Sequence, residues 1–224
     1  MTLKEKWLII GVSGVTCGGK TTLSTELNKM IPSSIMISQD DYFLDVDDSR
    51  HTWIPELNHI NFDITSSLDM DKMYNDIMNL IKTKENVYMN KDVCDTKTNS
   101  LSTELTNVTE LTKLLCKKVQ EVNVRILILE GFCIFNHSPV ADLCCLKYYF
   151  TLTRDECYKR RIKRVYEPPD CPGYFEKCVW PEYLNLLDEV KTTVKDVEYF
   201  DGTLPSPIEK VLLDIYSLVE NWHK

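Results

Sequence analysis

The sequence lacks the features that would place it in a membrane or on a nucleic acid. None of its apolar runs approaches the roughly 20 residues that a helix needs to cross a bilayer. A short charged stretch at 1–6 leads directly into the first predicted strand, so we expect no leader peptide and a cytoplasmic protein. Basic residues number 26 against 34 acidic ones, and the resulting formal net charge of −8 argues against a surface that coats nucleic acid.

Patterns typical of zinc sites and hydrolase triads are also missing. The nine cysteines include no Cys-x-x-Cys pair and no zinc-ligand spacing, so we expect reduced thiols. None of the four histidines stands in a recognisable arrangement with a serine or cysteine nucleophile, which argues against a hydrolase triad. No internal repeat or linker divides the chain, and 224 residues suffice for a single domain over 1–224.

The most informative pattern present is a glycine-rich stretch at 14–21, Gly-Val-Thr-Cys-Gly-Gly-Lys-Thr, which fits G-x-x-x-x-G-K-[ST]. An apolar run precedes it and a helix-like segment follows, which is the context that a phosphate-binding loop requires. Glycines let the backbone approach a ligand closely, and N–H groups at the start of a helix face a phosphate. Lys20 would reach the β- and γ-phosphates, and the Thr21 hydroxyl would ligate Mg²⁺. The pattern therefore predicts binding of a nucleoside triphosphate.

Strand-like and helix-like segments alternate along the rest of the chain. The predicted strands cover 8–11, 35–38, 126–130, 147–151 and 197–201, and the predicted helices cover 20–30, 70–82, 155–165, 181–194 and 206–222. The alternation predicts an α/β protein with the three-layer P-loop NTPase fold, a parallel sheet with helices on both faces. Its ligand crevice is expected at the carboxyl ends of the strands.

The segment 90–123 stands apart as a variable insertion. Its first part is polar, and steps of three and four between the later apolar residues predict an amphipathic helix. We expect this helix to pack on its own domain; a surface for a partner and partial disorder are the alternatives.

Acidic residues at two predicted strand ends indicate chemistry beyond nucleotide binding. Asp40 and Asp41 follow the second strand, where a carboxylate can accept a proton from an attacking hydroxyl or help to hold Mg²⁺. A turn that simply carries aspartates explains their spacing equally well. The third strand ends in Glu130-Gly131, like a strand whose terminal carboxylate meets a metal ion or its waters. Asp63, in a region of mixed polarity, indicates little by itself.

A basic stretch at 159–164, Lys-Arg-Arg-Ile-Lys-Arg, lies on the helix predicted after the fourth strand. Such a run can be a solvated face or a nucleic-acid patch. In an acidic protein with a phosphate-binding loop, arginines on a mobile lid can instead close over the transferring phosphates. The prolines that follow would bound this lid segment, which we place at 155–178.

Together these segments resemble the nicotinamide riboside kinases, with uridine kinase and pantothenate kinase as wider relatives. The likeness is carried by residues 11–23, Ile-Ser-Gln-Asp-Asp-Tyr-Phe at 37–43, Leu-Glu-Gly-Phe at 129–132, the arginine- and proline-rich 160–175, Val-Trp-Pro-x-Tyr at 179–183 and Asp-Gly-Thr at 201–203. It covers nearly the whole chain except 90–123. The resemblance implies a Mg²⁺-dependent kinase that transfers the γ-phosphoryl group of ATP to the 5′-hydroxyl of nicotinamide riboside, giving nicotinamide mononucleotide for NAD synthesis. The implied partner is a small-molecule nucleoside, and the segment 90–123 leaves the question of a protein partner open.

The resemblance also implies roles for individual residues. Asp40 would be the general base, with Lys20 at the phosphates, and an aromatic such as Tyr42 or Phe43 would stack on the cationic pyridinium. The implied metal ligands are Thr21, Asp40 and Glu130. The implied ATP contacts are Gly14, Val15, Thr16, Cys17, Gly18, Gly19, Lys20, Thr21, Thr22, Arg160, Arg164, Val165 and Tyr166, with Leu204, Pro205 and Ser206 at the adenine. The implied substrate contacts are Asp40, Asp41, Tyr42, Phe43, Phe62, Asp63 and Arg161.

The chain departs from the family pattern at Cys17-Gly18, where other members carry Asn-Ser, at Phe62, where a tyrosine is expected, and in the length of 90–123. Two further hypotheses stay open. A uridine or cytidine kinase would share the fold but would read a neutral pyrimidine with polar groups. A nucleotide-binding regulatory protein built around 90–123 would bind ATP without phosphoryl transfer, although Asp40 and Glu130 argue against it.

Overall fold

The fold is built on a five-stranded parallel sheet in a computed structural model that describes residues 6–82 and 108–222. The strands are β1 Lys6–Gly14, β2 Ile35–Ser38, β3 Trp53–Ile54, β4 His59–Ile60, β5 Val124–Glu130, β6 Leu146–Thr151 and β7 Val197–Asp201. The α-helices are α1 Lys20–Met30, α2 Met70–Lys82, α3 Val108–Glu121, α4 Ser138–Ala141, α5 Arg154–Arg161, α6 Trp180–Thr193 and α7 Ile208–Glu220. In the main sheet the strand order is β2-β5-β1-β6-β7, and β3 and β4 form a separate antiparallel hairpin.

The register of the sheet brings three strand ends to one edge. In β1, Val12 pairs with Glu130 of β5, while Ser38 of β2 pairs with Glu130 from the other side. On its second side β1 pairs with β6, where Gly14 lies opposite Phe150. Because the strands are parallel, the loops after β1, β2 and β5 all leave from this edge, which is where an open α/β sheet forms its ligand crevice.

Alternating side chains of the central strands build a separate core on each face of the sheet. Leu8 and Ile10 pack on the same side as helices α1, α3 and α7, whereas Trp7 and Ile9 pack on the side of α2 and α6. This period of two with both sets buried is expected for a parallel strand covered on both faces. The predicted α/β P-loop NTPase fold, with helices on both faces of a parallel sheet, is confirmed.

All five predicted strands and all five predicted helices are present, with differences mainly at their ends. The helix predicted at 155–165 ends at Arg161, since Lys163 N–H and Arg164 N–H bond to carbonyls three residues back and tighten the chain into a turn. The helix predicted at 181–194 begins one residue earlier, after a π-helical turn at Phe175–Val179. The helix predicted at 206–222 spans Ile208–Glu220, because prolines at 205 and 207 delay its start.

Part of the insertion at 90–123 is a helix that packs on its own sheet. Helix α3 buries Leu111, Leu115 and Val119 in the core that it shares with α7. The remainder of the predicted amphipathic pattern, at 90–107, lies outside the described residues. None of the helices within 6–82 and 108–222 is long and apolar enough to cross a membrane.

Candidate active site

The loop between β1 and α1 has a backbone that depends on glycine. Gly14 and Gly19 have φ of +118° and +110°, and a Cβ atom on Gly14 would overlap the backbone of Phe150. Cys17 also adopts the left-handed conformation, with φ of +61°. The Lys20 ammonium folds back over the loop and donates to the Val15 carbonyl at 2.8 Å. Helix α1 begins at Lys20, so its free N–H groups and its positive dipole end lie at this loop, a suitable arrangement for an anion.

Two carboxylates and two hydroxyls meet beside the loop. Glu130, at the end of β5, is 4% exposed and accepts hydrogen bonds from Thr21 Oγ1 at 3.1 Å and Ser38 Oγ at 2.8 Å. Asp40 lies in the turn after β2 and lines the same cleft. Removal from solvent and the nearby Glu130 carboxylate raise the pKa of Asp40, whereas the Lys20 ammonium opposes this shift. Burial lowers the pKa of Lys20, with Glu130 and Asp40 opposing.

The oxygen atoms at this edge fit the preferences of Mg²⁺. Thr21, Asp40 and Glu130 offer one hydroxyl and two carboxylates. Among the described residues, no group of three or more His, Cys, Asp and Glu side chains is placed to hold a metal ion. This does not conflict with Mg²⁺, which is usually held by one or two carboxylates together with substrate phosphates and water.

A cleft of about 180 Å³ opens above these groups. One of its walls is aromatic: the Phe43 and Phe132 rings are stacked with centroids 6.1 Å apart and an interplanar angle of 12°, and Phe62 meets Phe43 edge-on at 6.2 Å. The cleft is lined by Thr16, Cys17, Lys20, Thr21, Asp40, Phe43, Phe62, Asp63, Glu130, Gly131, Phe132, Arg161, Arg164 and Tyr166.

Arg161 connects the cleft with the loop that follows α5. It is 6% exposed and donates to Asp170 at 2.6 and 3.0 Å and to Asp63 at 3.4 Å through both Nη atoms. Its guanidinium carbon also lies 4.3 Å from the centroid of the Tyr166 ring. Burial raises the pKa of Asp63, although the Arg161 charge and a hydrogen bond from Tyr174 act in the opposite direction. A buried cation is thus held between two carboxylates, Asp63 in the lining of the cleft and Asp170 in the loop that follows α5.

Arg160, unlike Arg161, does not line the cleft but bonds to the backbone of the phosphate loop. Its Nη1 donates to the Cys17 carbonyl at 3.2 Å and to the Gly202 carbonyl at 2.9 Å, while its Nε donates to Glu156 at 2.7 Å. The guanidinium therefore ties the phosphate loop to the loop after β7. Tyr166 contacts the same loop, with its hydroxyl 3.3 Å from Thr16 Oγ1.

The structure brings most of the predicted site residues together, but not all of them. Tyr42 packs away from the cleft beneath α2, where its hydroxyl donates to Asp76 at 3.3 Å. The reason is the 3-10 turn Gln39–Tyr42, which directs Asp40 and Phe43 to the cleft and leaves Asp41 exposed outside it. The side chains of Val165 and Leu204 are 96% and 65% exposed and do not line the cleft.

Four residues near the cleft received no role from the sequence: Ser38, Gln39, Phe132 and Tyr174. Buried Gln39 accepts a hydrogen bond from Cys133 N–H at 3.1 Å and lies so close to Gly131 that a Cβ atom there would overlap it. Phe132 forms part of the aromatic wall. All four belong to the segments that carry the family resemblance, so the resemblance could have pointed to them. Their roles, however, come from contacts with residues about a hundred positions away in the chain.

Comparisons with known proteins agree with this geometry. The phosphoribulokinase/uridine kinase family matches residues 9–167 of the chain. Nicotinamide riboside kinase 1 of Homo sapiens is 33% identical over 211 residues, which are 94% of this chain and 91% of that protein. Nicotinamide riboside kinase 2 of Mus musculus is 32% identical, covering 96% of this chain and 98% of that protein. A uridine kinase of Borreliella burgdorferi is 31% identical over a smaller region, 70% of this chain and 66% of that protein.

Proposed function

The chain belongs to the phosphoribulokinase/uridine kinase family, and from this premise we propose that it is an ATP-dependent kinase of nicotinamide riboside. It transfers the γ-phosphoryl group of ATP to the 5′-hydroxyl of the riboside and yields nicotinamide mononucleotide, a step toward NAD. Relatives named nicotinamide riboside kinase cover nearly the full length of the chain, whereas the uridine kinases cover less of it.

The observation that carries the proposal is the chemistry of the cleft wall. Phe43, Phe62 and Phe132 present ring faces and edges beside the carboxylates of Asp40 and Asp63. A pyridinium ring is flat and positively charged, so aromatic contact combined with nearby negative charge favours it. A uracil ring is neutral, so the same aromatic faces and carboxylates attract it less.

Each charged group then has a defined task in the transfer. Asp40 accepts the proton of the attacking 5′-hydroxyl, and its raised pKa makes it a stronger base than an ordinary aspartate. Lys20 and Arg164 neutralise charge on the phosphates, and Asp63 orients the ribose through its hydroxyls. Mg²⁺, held by Thr21, Asp40 and Glu130, would offset the charge that develops on the β- and γ-phosphate oxygens.

We further propose that the chain acts as one kinase domain over 1–224, with the segment 155–178 as its lid. Arg160, Arg161, Arg164 and Tyr166 all come from this segment and contact or line the cleft. Closure of such a segment would exclude water from the phosphoryl group. Arg160 holds the Gly202 carbonyl near the phosphate loop, and the exposed residues 204–206 follow Gly202 closely in the chain. This is a suitable position for the adenine of ATP.

The test is formation of phosphorylated product by the purified protein with Mg-ATP. Nicotinamide riboside, uridine, cytidine, and nicotinamide 5′-deoxyriboside (which lacks the accepting hydroxyl) are offered separately, and ADP and nucleotide products are quantified by mass spectrometry. The proposal expects product from nicotinamide riboside and none from the 5′-deoxy compound. Product from the pyrimidine nucleosides alone would reassign the substrate, and ATP binding without any product would favour a regulatory function.

A further inference from the structure

We propose that Tyr174 is a positioning residue for the nucleoside side of the cleft, because its hydroxyl holds the backbone of Phe62 next to Asp63. The inference rests on the proposed function, in which these two residues meet the base and the ribose. Tyr174 itself does not line the cleft and so acts through its neighbours.

The Tyr174 hydroxyl is buried and bonded to the backbone of Phe62. The side chain is only 1% exposed, and its oxygen accepts a hydrogen bond from the Phe62 backbone N–H at 2.8 Å. The hydroxyl also interacts with the Asp63 carboxylate and lowers the pKa of that group. One buried hydroxyl therefore holds the backbone that carries the Phe62 ring, directly beside Asp63.

The ring of Tyr174 is held so that this hydroxyl has little freedom to move. It packs against the His59 ring at a centroid distance of 4.9 Å, and the Arg161 guanidinium carbon lies 5.7 Å from its centroid. His59 is in turn held by its Nδ1, which is 2.7 Å from the Ile60 carbonyl oxygen. Side chains that act on a reacting group through others must be locked by their own packing, as this one is.

The segment that carries Phe62 and Asp63 is held by local bonds and by side chains from distant parts of the chain. It lies between β4 and the 3-10 turn at Thr65–Ser67, with no regular element of its own. Asn61 Oδ1 accepts from the Asp63 N–H at 3.1 Å, and Asn61 Nδ2 donates to Glu182 at 3.0 Å. The position of Phe62 and Asp63 thus depends also on distant residues, Glu182 through Asn61 and Tyr174 through the Phe62 backbone.

Tyr174 also favours the ionised form of Asp63. Arg161 contacts this carboxylate at 3.4 Å, and the Asp170 carboxylate, the Tyr174 hydroxyl and the thiols of Cys133, Cys157 and Cys178 lie near enough to interact with it electrostatically. Burial raises the pKa of Asp63, and the arginine and the tyrosine hydroxyl oppose the rise. Without the hydroxyl, the pKa of Asp63 rises further. As the pH falls, Asp63 then becomes protonated at a higher pH and stops accepting hydrogen bonds from the ribose through both oxygens.

The variant Tyr174→Phe tests this role, because it removes one oxygen and keeps the ring. The matched control is Tyr148→Phe, which removes the hydroxyl of another tyrosine that is 1% exposed. Tyr148 lies on β6, its hydroxyl donates to the Asp214 carboxylate of α7 at 2.9 Å, and it does not line the cleft. For Tyr174→Phe we expect KM for nicotinamide riboside to rise about tenfold, the usual effect of one lost buried hydrogen bond, with kcat and KM for ATP within about twofold. For the control, all three constants stay within about twofold.

Two further measurements separate positioning from a general loss of structure. The acid side of the pH profile of kcat/KM for the riboside should move to higher pH in Tyr174→Phe and not in Tyr148→Phe. In the free wild-type protein the Phe62 amide should exchange slowly with deuterium, and this protection should fall in Tyr174→Phe.

The inference is overturned by an unchanged riboside KM, or by kcat and both KM values changing together as stability drops. Fast exchange of the Phe62 amide in the wild-type protein would also overturn it, even if the variant does not fold. Failure of the proposed function looks different, because the wild-type protein would then give no product from nicotinamide riboside, while the exchange measurement needs no substrate.

Discussion

Replacement of Arg160 by alanine should weaken ATP binding by opening a contact that exists before ATP arrives. The Nη1 atom of Arg160 joins the Cys17 carbonyl of the phosphate loop to the Gly202 carbonyl after β7. These two loops lie in close contact, since a Cβ atom on Gly202 would overlap the carbonyl oxygen of Gly18. Without the guanidinium, ATP must bring the loops together itself, and part of its binding free energy is used for that ordering.

The size of the effect follows from the geometry. A hydrogen bond from a charged donor contributes about 1.5–3 kcal/mol, but here one Nη1 serves both carbonyls and the side chain is 33% exposed. We therefore take about 1–2 kcal/mol for the pair of bonds, which corresponds to roughly a 5- to 30-fold increase in the Kd for ATP. The free protein should lose the same amount, or about 2–8 °C in melting temperature for a chain of this length.

Isothermal titration with ATP and thermal melting without ATP measure the two quantities. The control is Lys159→Ala, which removes the same charge from the neighbouring position. That side chain is 68% exposed and forms an ion pair with Glu156 at 3.8 Å. The control should bind ATP as the wild type does. Unchanged ATP affinity in Arg160→Ala refutes the reasoning. Weaker ATP binding with an unchanged melting temperature would mean that Arg160 contacts ATP directly and does not tie the loops together.

Three other predictions concern the reaction and the packing beneath it. Asp40→Asn should retain ATP affinity within about threefold in titration and lose at least about 99% of turnover, because the amide cannot accept the proton; near-normal kcat would remove Asp40 from the role of base. Burial lowers the pKa of Lys20, so on raising the pH kcat/KM for ATP should begin to fall before the ordinary lysine pKa of about 10.4 is reached. A profile that stays flat beyond that pH would contradict this. Gly131→Ala should lower the unfolding free energy by about 1–3 kcal/mol in a denaturant titration, because the new methyl group overlaps buried Gln39. An unchanged denaturation midpoint would show that the Gln39 side chain can move aside.

The phosphate loop and the sheet were predictable because their signals are local. The pattern at 14–21 combines fixed residue types with a preceding strand and a following helix, and the observed β1, loop and α1 follow that order. Strands buried on both faces are continuous apolar runs, so the five parallel strands could be recognised without knowing their partners. Helix ends were less predictable, since the ends of α5 and the start of α6 depend on a tight turn and a π-helical turn.

The substrate side of the cleft could be predicted only as a set of residues, not as an arrangement. Tyr42 and Phe43 are neighbours in one motif, yet the 3-10 turn sends the first beneath α2 and the second into the cleft. Arg161 is held by Asp63 and Asp170, which are 98 and 9 residues away in the chain. Which side chains satisfy a buried charge is decided by the packing of distant segments, and periodicity or spacing in one sequence carries no information about it.

The most direct test of the central claim is a competition between two nucleosides in one reaction. Nicotinamide riboside and uridine are supplied at equal concentration with Mg-ATP, and the ratio of their 5′-phosphates at low conversion gives the ratio of the two kcat/KM values. The aromatic wall and the carboxylates of the cleft predict a ratio of at least about 100 in favour of nicotinamide riboside. A ratio near one, or one that favours uridine, would contradict the account.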